Sequence, residues 1–485
     1  MSKEIFIGRE TEITQFGKYV NSGRAEFVAV YGRRRVGKTF FIRNQLSGRI
    51  DFEVSGAYKE PLRVQLRNFA EVLSKLTSAK HTFKSWQEAF SALELYVDRL
   101  LAEGRERVVL FFDELPWFDT QRSGFVRALD YFWNHYCSAH REVMLVVCGS
   151  ATSWMVNNLI NDRGGLHNRV THEIHMYPFT LRETEQYLRK VGIKWPRYIV
   201  TQLYMILGGI PFYLDMLDSD ETYTENIDRM MFHSDAALKS EYQRLYDSLF
   251  GRNKIYMDVI ALLAKHRDGL TRGEIVHALK YSVNGKLSQA LVDLENCDFI
   301  RYYNVKSRTI KQNAGLYQLV DMFTIFHFSF LTRRTTSEHY WSEMWNTPKV
   351  SAWNGLAFER VCMSHIPQIK ASLHIDSIHT EYFSWRKRQD KSDDAADKAT
   401  KGAQIDLVIE RADQMTHICE MKFTQDEFHL TQTEYENLRH RMAAYRHETA
   451  TRHGLLLTVI TTEPPARSTY NTIIDKVVLL DDLFR

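Results

Sequence analysis

Residues 32–39 read GRRRVGKT, and they follow an apolar run, residues 27–31, of the length of a buried strand. Glycines at the two ends of such a loop let backbone N–H groups wrap a phosphate. A lysine then reaches the outer oxygens, and the next hydroxyl can hold a divalent cation. Gly32, Gly37, Lys38 and Thr39 supply all four at the required spacing. Residues 40–46 predict a helix whose N-terminus faces the same phosphates. Strand, loop and helix confine this end of the chain to an α/β fold with a P-loop. Arg33, Arg34, Arg35, Val36 and Phe40 complete the candidate nucleotide-binding residues, and the implied ligands are ATP and Mg²⁺.

Up to about residue 179, short apolar runs alternate with helical periodicity, the signature of a parallel sheet covered by helices. Residues 108–112 and 143–148 are the other buried strands. Between them, Leu62, Leu66, Phe69, Leu73 and Leu76 recur at helical spacing behind Pro61, and Ser85 with Glu88 makes a capping box for the next helix. The strand 108–112 runs into Asp113 and Glu114. Asp113 is placed to hold the hydration shell of Mg²⁺, and Glu114 to orient or deprotonate an attacking water. Ser150, after the strand 143–148, either senses the γ-phosphate or caps a helix. Arg163 and Arg169 fall in a loop. There an arginine either stabilises transition-state charge, from this subunit or a neighbour in a homo-oligomer, or is simply solvated.

At 485 residues the chain exceeds one ordinary core, so two to four domains are expected. Residues 1–179 form the P-loop domain. Residues 180–249 carry only helical signals, broken by Gly208, Gly209 and Pro211, and read as a helical lid with a hinge at the break. Residues 250–335 give a helix at 255–263, a capping box from Thr271 to Glu274, a helix with Leu287, Leu291 and Leu294, and strands near 299–305 and 316–319. That is the order of a winged helix. Its wing carries Arg301, Lys306, Arg308 and Lys311 without an acidic residue, which suits DNA phosphates, although such a module also serves for packing. A net charge of +3 is too small for the whole chain to be a polyanion binder, so any DNA contact is regional. Five scattered cysteines without a CxxC pair argue against disulfides and zinc, and suit a reducing cytoplasm. No targeting or membrane-spanning stretch is read, and the apolar run 322–331 is too short to cross a bilayer.

Residues 336–485 hold a second set of charges. Glu359 lies in a predicted helix, Asp406 in a strand at 404–410, and Glu420 with Lys422 in a strand at 417–423. The strand period of two puts Glu420 and Lys422 on one face, with Cys419, Met421 and Phe423 on the other. Converging, the three carboxylates could bind Mg²⁺ and activate water for phosphodiester cleavage, with Lys422 positioning the nucleophile or stabilising charge.

The boxes FIGRE, GRRRVGKT, the strand ending in Asp113-Glu114, CGS at 148–150 and GGIPFYL at 208–214 resemble the archaeal-type ATPases, of the STAND branch of AAA-like P-loop proteins. The likeness covers about the first two thirds of the chain. It implies that Gly8 and Arg9 lie near the nucleotide base, Pro211 near the adenine, and that Arg169 matches the family's arginine, with Asn168 where glycine is usual. The carboxy-terminal order of helix, two strands, amphipathic helix with Leu430, Leu438, Met442 and Tyr445, and apolar strand 454–460 resembles a PD-(D/E)XK nuclease core. Ile405 stands in place of the motif's proline, and Gln404 where glutamate is frequent. The resemblance implies an ATP switch controlling a metal-dependent DNA nuclease in defence or mobile-element biology. The alternative is an ATP-dependent DNA-binding or signalling scaffold with an inactive nuclease fold.

Overall fold

In the computed structural model the described residues are 7–160, 169–251, 253–281, 285–303, 305–306, 315–332, 337–387 and 402–485. The chain packs as two compact units: Met1–Pro178 with Val292–Asp298, and Phe179–Leu291 with Phe299–Arg485. Residues 180–249, 250–335 and 336–485 thus share the second unit, apart from Val292–Asp298.

The first unit is built on β1 (Glu26–Tyr31), β2 (Phe52–Ser55), β3 (Val108–Asp113), β4 (Val143–Gly149) and β5 (His172–His175). They form a five-stranded parallel sheet in the order β2-β3-β4-β1-β5. Every residue of β3 and β4 is buried, as expected of strands covered on both faces. The edge strands β2 and β5 were not legible as apolar runs, because each buries only alternate or isolated residues. Helices Leu62–Thr77 and Trp86–Ala102 bury Leu66, Phe69, Leu73, Phe90 and Leu93 against the sheet. Ser85 caps the second through Glu88 N, but the Glu88 carboxylate turns back to Lys84 N rather than to Ser85 N, so the box is half made.

The second unit opens with helices Leu181–Lys190, Arg197–Leu207, Pro211–Leu214 and Tyr223–Met231. Gly208 and Gly209, read as a hinge, form a tight turn with φ of 67° and 65°. A Cβ on Gly209 would meet Phe179 O at 2.2 Å, and Phe179 N donates to Gly209 O at 2.8 Å. These glycines serve close packing.

Helices Lys254–Lys265, Arg272–Leu279 and Gly285–Asn296 follow, with β6 (Leu270–Thr271), β7 (Ile300–Tyr303), β8 (Val305–Lys306) and β9 (Leu316–Leu319). The Thr271–Glu274 capping box is complete. Strands β6, β9 and β7 make an antiparallel sheet in that order. Strand β8 departs from the expected wing, pairing parallel with β10 (Thr380–Lys387). Arg301, expected to face DNA, instead donates to Gln318 Oε1 at 3.0 Å, and burial pulls its pKa down to about 10. Arg308 and Lys311 lie outside the described residues. The apolar run 322–331 is core: Phe326 and Phe330 pack edge-on to Trp341 and Trp353.

The remaining strands are β11 (Ala403–Arg411), β12 (Met415–Lys422), β13 (Gly454–Thr461) and β14 (Lys476–Leu479). With β10 and β8 they form a six-stranded mixed sheet, β14-β13-β12-β11-β10-β8. Three antiparallel strands, β10 to β12, follow the helix Pro348–Ser364, where the sequence showed only two. Strand β10 escaped notice because residues 380–382 are half-buried or exposed. Among the described residues no helix is long and apolar enough to cross a membrane.

His365 ties the second unit together. Its Nε2 accepts from Leu181 N at 3.1 Å, while Nδ1 donates to Val361 O at 2.7 Å. Burial pushes its pKa down to about 4, against about 6.5 in an open chain. The neutral ring therefore stabilises the fold above pH 6.5, and that contribution is lost as pH falls toward 4. Between pH 7 and pH 4.5 the loss is about 2–3 kcal/mol. His365→Gln should lose correspondingly less stability over that interval than wild type in chemical denaturation; equal losses would contradict the assignment.

Candidate functional site

The sheet order puts the carboxyl ends of β3, β4 and β1 side by side, the edge where open α/β sheets bind ligands. β1 delivers residues 32–37, and helix Lys38–Gln45 starts at the loop's end. Gly32 and Gly37 have φ of 142° and 88°. A Cβ on Gly32 would sit 2.2 Å from Met176 O, so no other residue fits there. Val36 is buried, Arg33 is buried, Arg35 half-buried, and Arg34 and Phe40 exposed.

Lys38 is 5 % exposed, and its ammonium donates to Gly32 O at 2.8 Å, Arg33 O at 2.9 Å and Ser150 Oγ at 3.1 Å. Burial pulls its pKa down, opposed by the nearby Cys148, Glu114 and Asp113. Ser150 in turn donates its hydroxyl to Glu114 Oε1 at 2.7 Å and its N–H to Oε2 at 3.3 Å. Thr39 Oγ1 donates to Asp113 at 3.0 and 3.2 Å. Burial raises the Asp113 pKa, partly offset by hydrogen bonds from Cys148, Thr39 and Glu114 N. A hydroxyl and a carboxylate joined this closely are the oxygen donors that Mg²⁺ takes. Lys38, Thr39, Asp113, Glu114 and Ser150, named from sequence, thus form one hydrogen-bonded set.

Cys148 was missed as a member: its thiol donates to Asp113 Oδ1. The signal was its position, since β1, β4 and β3 are neighbours and Cys148 pairs with Val30. Gly8 and Arg9 precede the helix Glu10–Val20, and Arg9 donates to Tyr177 O at 2.6 Å and Val36 O at 3.5 Å, so it reaches the loop backbone. Arg169 is exposed in a turn ahead of β5 and outside this hydrogen-bonded set. Pro211 starts a short helix of the second unit. Arg163 lies outside the described residues.

Residues 6–217 match the family model described as an ATPase domain predominantly from Archaea. Over this stretch the chain is similar to an archaeal-type ATPase domain. An uncharacterized protein of Methanocaldococcus jannaschii is 22% identical over 331 residues, 67% of this chain and 69% of that protein. Two solved structures resemble the chain at lower identity. The Walker-type ATPase of Pyrococcus abyssi is 17% identical, with a TM-score of 0.47 over 67% of this chain and 97% of that one. The ORC2 protein of Aeropyrum pernix, in ADPNP and ADP complexes, is 13% identical, with a TM-score of 0.41 over 68% and 96%.

Outside the ATPase domain, the second unit assembles the other predicted charges. Leu407 pairs with Cys419, and extending this antiparallel register by one residue sets Asp406 opposite Glu420. Lys422 Nζ lies 3.2 Å from Glu420 Oε1, confirming their shared face, while Cys419 and Met421 are buried behind it. Glu359, on helix Pro348–Ser364, joins them: burial and then Asp406 push its pKa up to about 8, with Glu420 adding to the rise. Burial also raises Asp406, against a hydrogen bond from Gln404 Nε2 at 2.9 Å. Among the described residues, however, no three His, Cys, Asp or Glu stand close enough to cage a metal ion. Two unforeseen residues of helix Gln432–Thr449 hold the charges instead. Glu434 binds Lys422 at 3.0 Å, and Arg441 binds Glu420 at 2.8 Å. Their seven-residue spacing, beside buried Leu438 and Tyr445, was the signal for one shared helix face.

Ser150 is the link between the phosphate-reaching lysine and Glu114. Ser150→Ala should lower the ATPase kcat about 10–100-fold while ATP affinity changes less than about threefold. An unchanged kcat in steady-state hydrolysis would show that Glu114 needs no such tether.

Proposed function

We propose that the protein is an ATP-driven switch whose nucleotide state controls metal-dependent cleavage of DNA by its carboxy-terminal sheet. The observation that carries the nuclease part is the gathering of Glu359, Asp406 and Glu420, whose charges act on one another, with Lys422 Nζ 3.2 Å from Glu420 Oε1.

In the ATPase domain, Lys38 would exchange the carbonyls of Gly32 and Arg33 and the Ser150 hydroxyl for phosphate oxygens. Arg33, Arg34, Arg35, Val36, Gly37 and Phe40 would line the phosphates, with Gly8 and Arg9 toward the base. Thr39 and Asp113 would hold Mg²⁺, which would supply charge neutralisation to the phosphates. Glu114, turned by Ser150, would orient the attacking water, and Arg169 would serve this subunit or a neighbour in a homo-oligomer.

In the second unit, repulsion among partly buried carboxylates is the chemistry a divalent cation relieves. Asp406, Glu420 and Glu359 would hold it, once Arg441 yields its place on Glu420. The bound ion would supply Lewis acidity and a water of lowered pKa. Lys422 would position that water or stabilise charge on the scissile phosphate.

A second reading rests on the ion pair between Arg441 and Glu420 and the lack of a three-carboxylate cage among the described residues. In it the same sheet binds DNA without cutting, and ATP alters assembly alone.

Incubation of the full chain with DNA and Mg²⁺ or Mn²⁺, with ATP, separates the two. The nuclease reading expects cleavage, slowed at least about 100-fold in Lys422→Ala and Asp406→Asn with ATP affinity intact. Absence of wild-type cleavage leaves the binding scaffold, and cleavage undiminished in Lys422→Ala removes this site from the chemistry.

A further inference from the structure

Immediately beyond Lys422, a cavity of about 400 Å³ opens within the second unit. Its walls come from helix Arg197–Leu207, from residues 345–354, and from the segment that follows β12. The volume lies in the range of small-molecule sites.

Three features of its lining point to one chemistry. Four carboxamides line it, of which two are buried, Gln202 at 2 % and Asn354 at 5 % exposure, and Gln202 Oε1 has no hydrogen-bond partner among the described residues. A buried amide oxygen without a donor costs about 1–3 kcal/mol unless something supplies one. Aromatic surface is supplied by Trp345 and by Tyr198, which stacks on Phe423 with centroids 4.6 Å apart. The charged residues of the lining are Asp426 and Glu427, both exposed at the mouth, and no lysine or arginine joins them.

Without a lysine or arginine, and with two carboxylates at its mouth, such a cavity disfavours a phosphate. A planar, neutral heterocycle with N–H donors fits it: carboxamides pair with the mixed donor and acceptor edge of a base, aromatic side chains stack on its face, and carboxylates accept from amino or hydroxyl groups. We infer that this cavity is a nucleobase-binding site, separate from the P-loop, which takes the base of a nucleoside or of an unpaired nucleotide in DNA. The inference does not rest on cleavage, since binding alone defines it.

The test is equilibrium dialysis of the full chain with each of the four deoxynucleosides, under saturating ADPNP and Mg²⁺ so that the P-loop is occupied. At least one nucleoside should bind saturably. Gln202→Leu and Asn354→Leu should each weaken it tenfold or more. Gln202→Leu should leave the unfolding temperature unchanged or raise it, because a buried orphan acceptor has been removed. Trp345→Leu, at the half-buried wall, provides a third variant that spares the interior. Displacement by a single-stranded oligonucleotide assigns the base to DNA, and its failure assigns it to a free nucleoside; both support the site. No saturable binding of any nucleoside or oligonucleotide, binding that survives all three substitutions, or preferential binding of arginine amide would overturn it.

Discussion

The buried ammonium of Lys38 is the interaction on which the first unit is arranged. A charge at 5 % exposure is tolerable only with all its donors used, and Gly32 O, Arg33 O and Ser150 Oγ use them. The loop must therefore curl back over its own lysine, which requires φ of 142° at Gly32 and a missing Cβ beside Met176 O. Ser150 must stand at the end of β4, next to β1, and the adjacency of β3, β4 and β1 brings both beside Asp113. An anion at the loop would relieve the desolvation that pulls the lysine's pKa down, so binding energy and the fold's electrostatic cost are coupled at one atom.

The second unit solves the opposite problem. Its like charges are acidic, and they are balanced by Lys422 and Arg441 around Glu420, while Glu359 and Asp406 respond by holding their protons more tightly. In the proposed function the first site's cation would meet a polyanion, and the second site's carboxylates would meet a cation. The nucleobase cavity beyond Lys422 differs from both, being walled by amides and rings with acids only at its mouth.

Much of the ATPase site was legible because its chemistry is local. Gly32, Gly37, Lys38 and Thr39 sit within eight residues, and the fully buried strands β3 and β4 announce themselves as unbroken apolar runs. What sequence could not show was three-dimensional substitution of partners. Arg301 looked like a DNA contact because the wing lacks acids, but Gln318, seventeen residues away, takes its guanidinium. Strand β8 looked like part of the wing, yet its backbone completes the carboxy-terminal sheet through β10, itself hidden by exposed residues at its start. Arg441 and Glu434 were invisible as site residues because helical charges are ordinarily solvated, and only the packing of their helix across β12 turns them inward.

The central claim is that the nucleotide held at Lys38 governs chemistry at Asp406, Glu420 and Lys422. The most direct measurement is the initial rate of DNA cleavage at fixed Mg²⁺ with ATP, with ADP and without nucleotide, in wild type and in Lys38→Ala. The account predicts that the wild-type rate changes at least about tenfold between nucleotide states, and that Lys38→Ala gives a single rate in all three. A wild-type rate indifferent to nucleotide, or a nucleotide response that survives in Lys38→Ala, would contradict it.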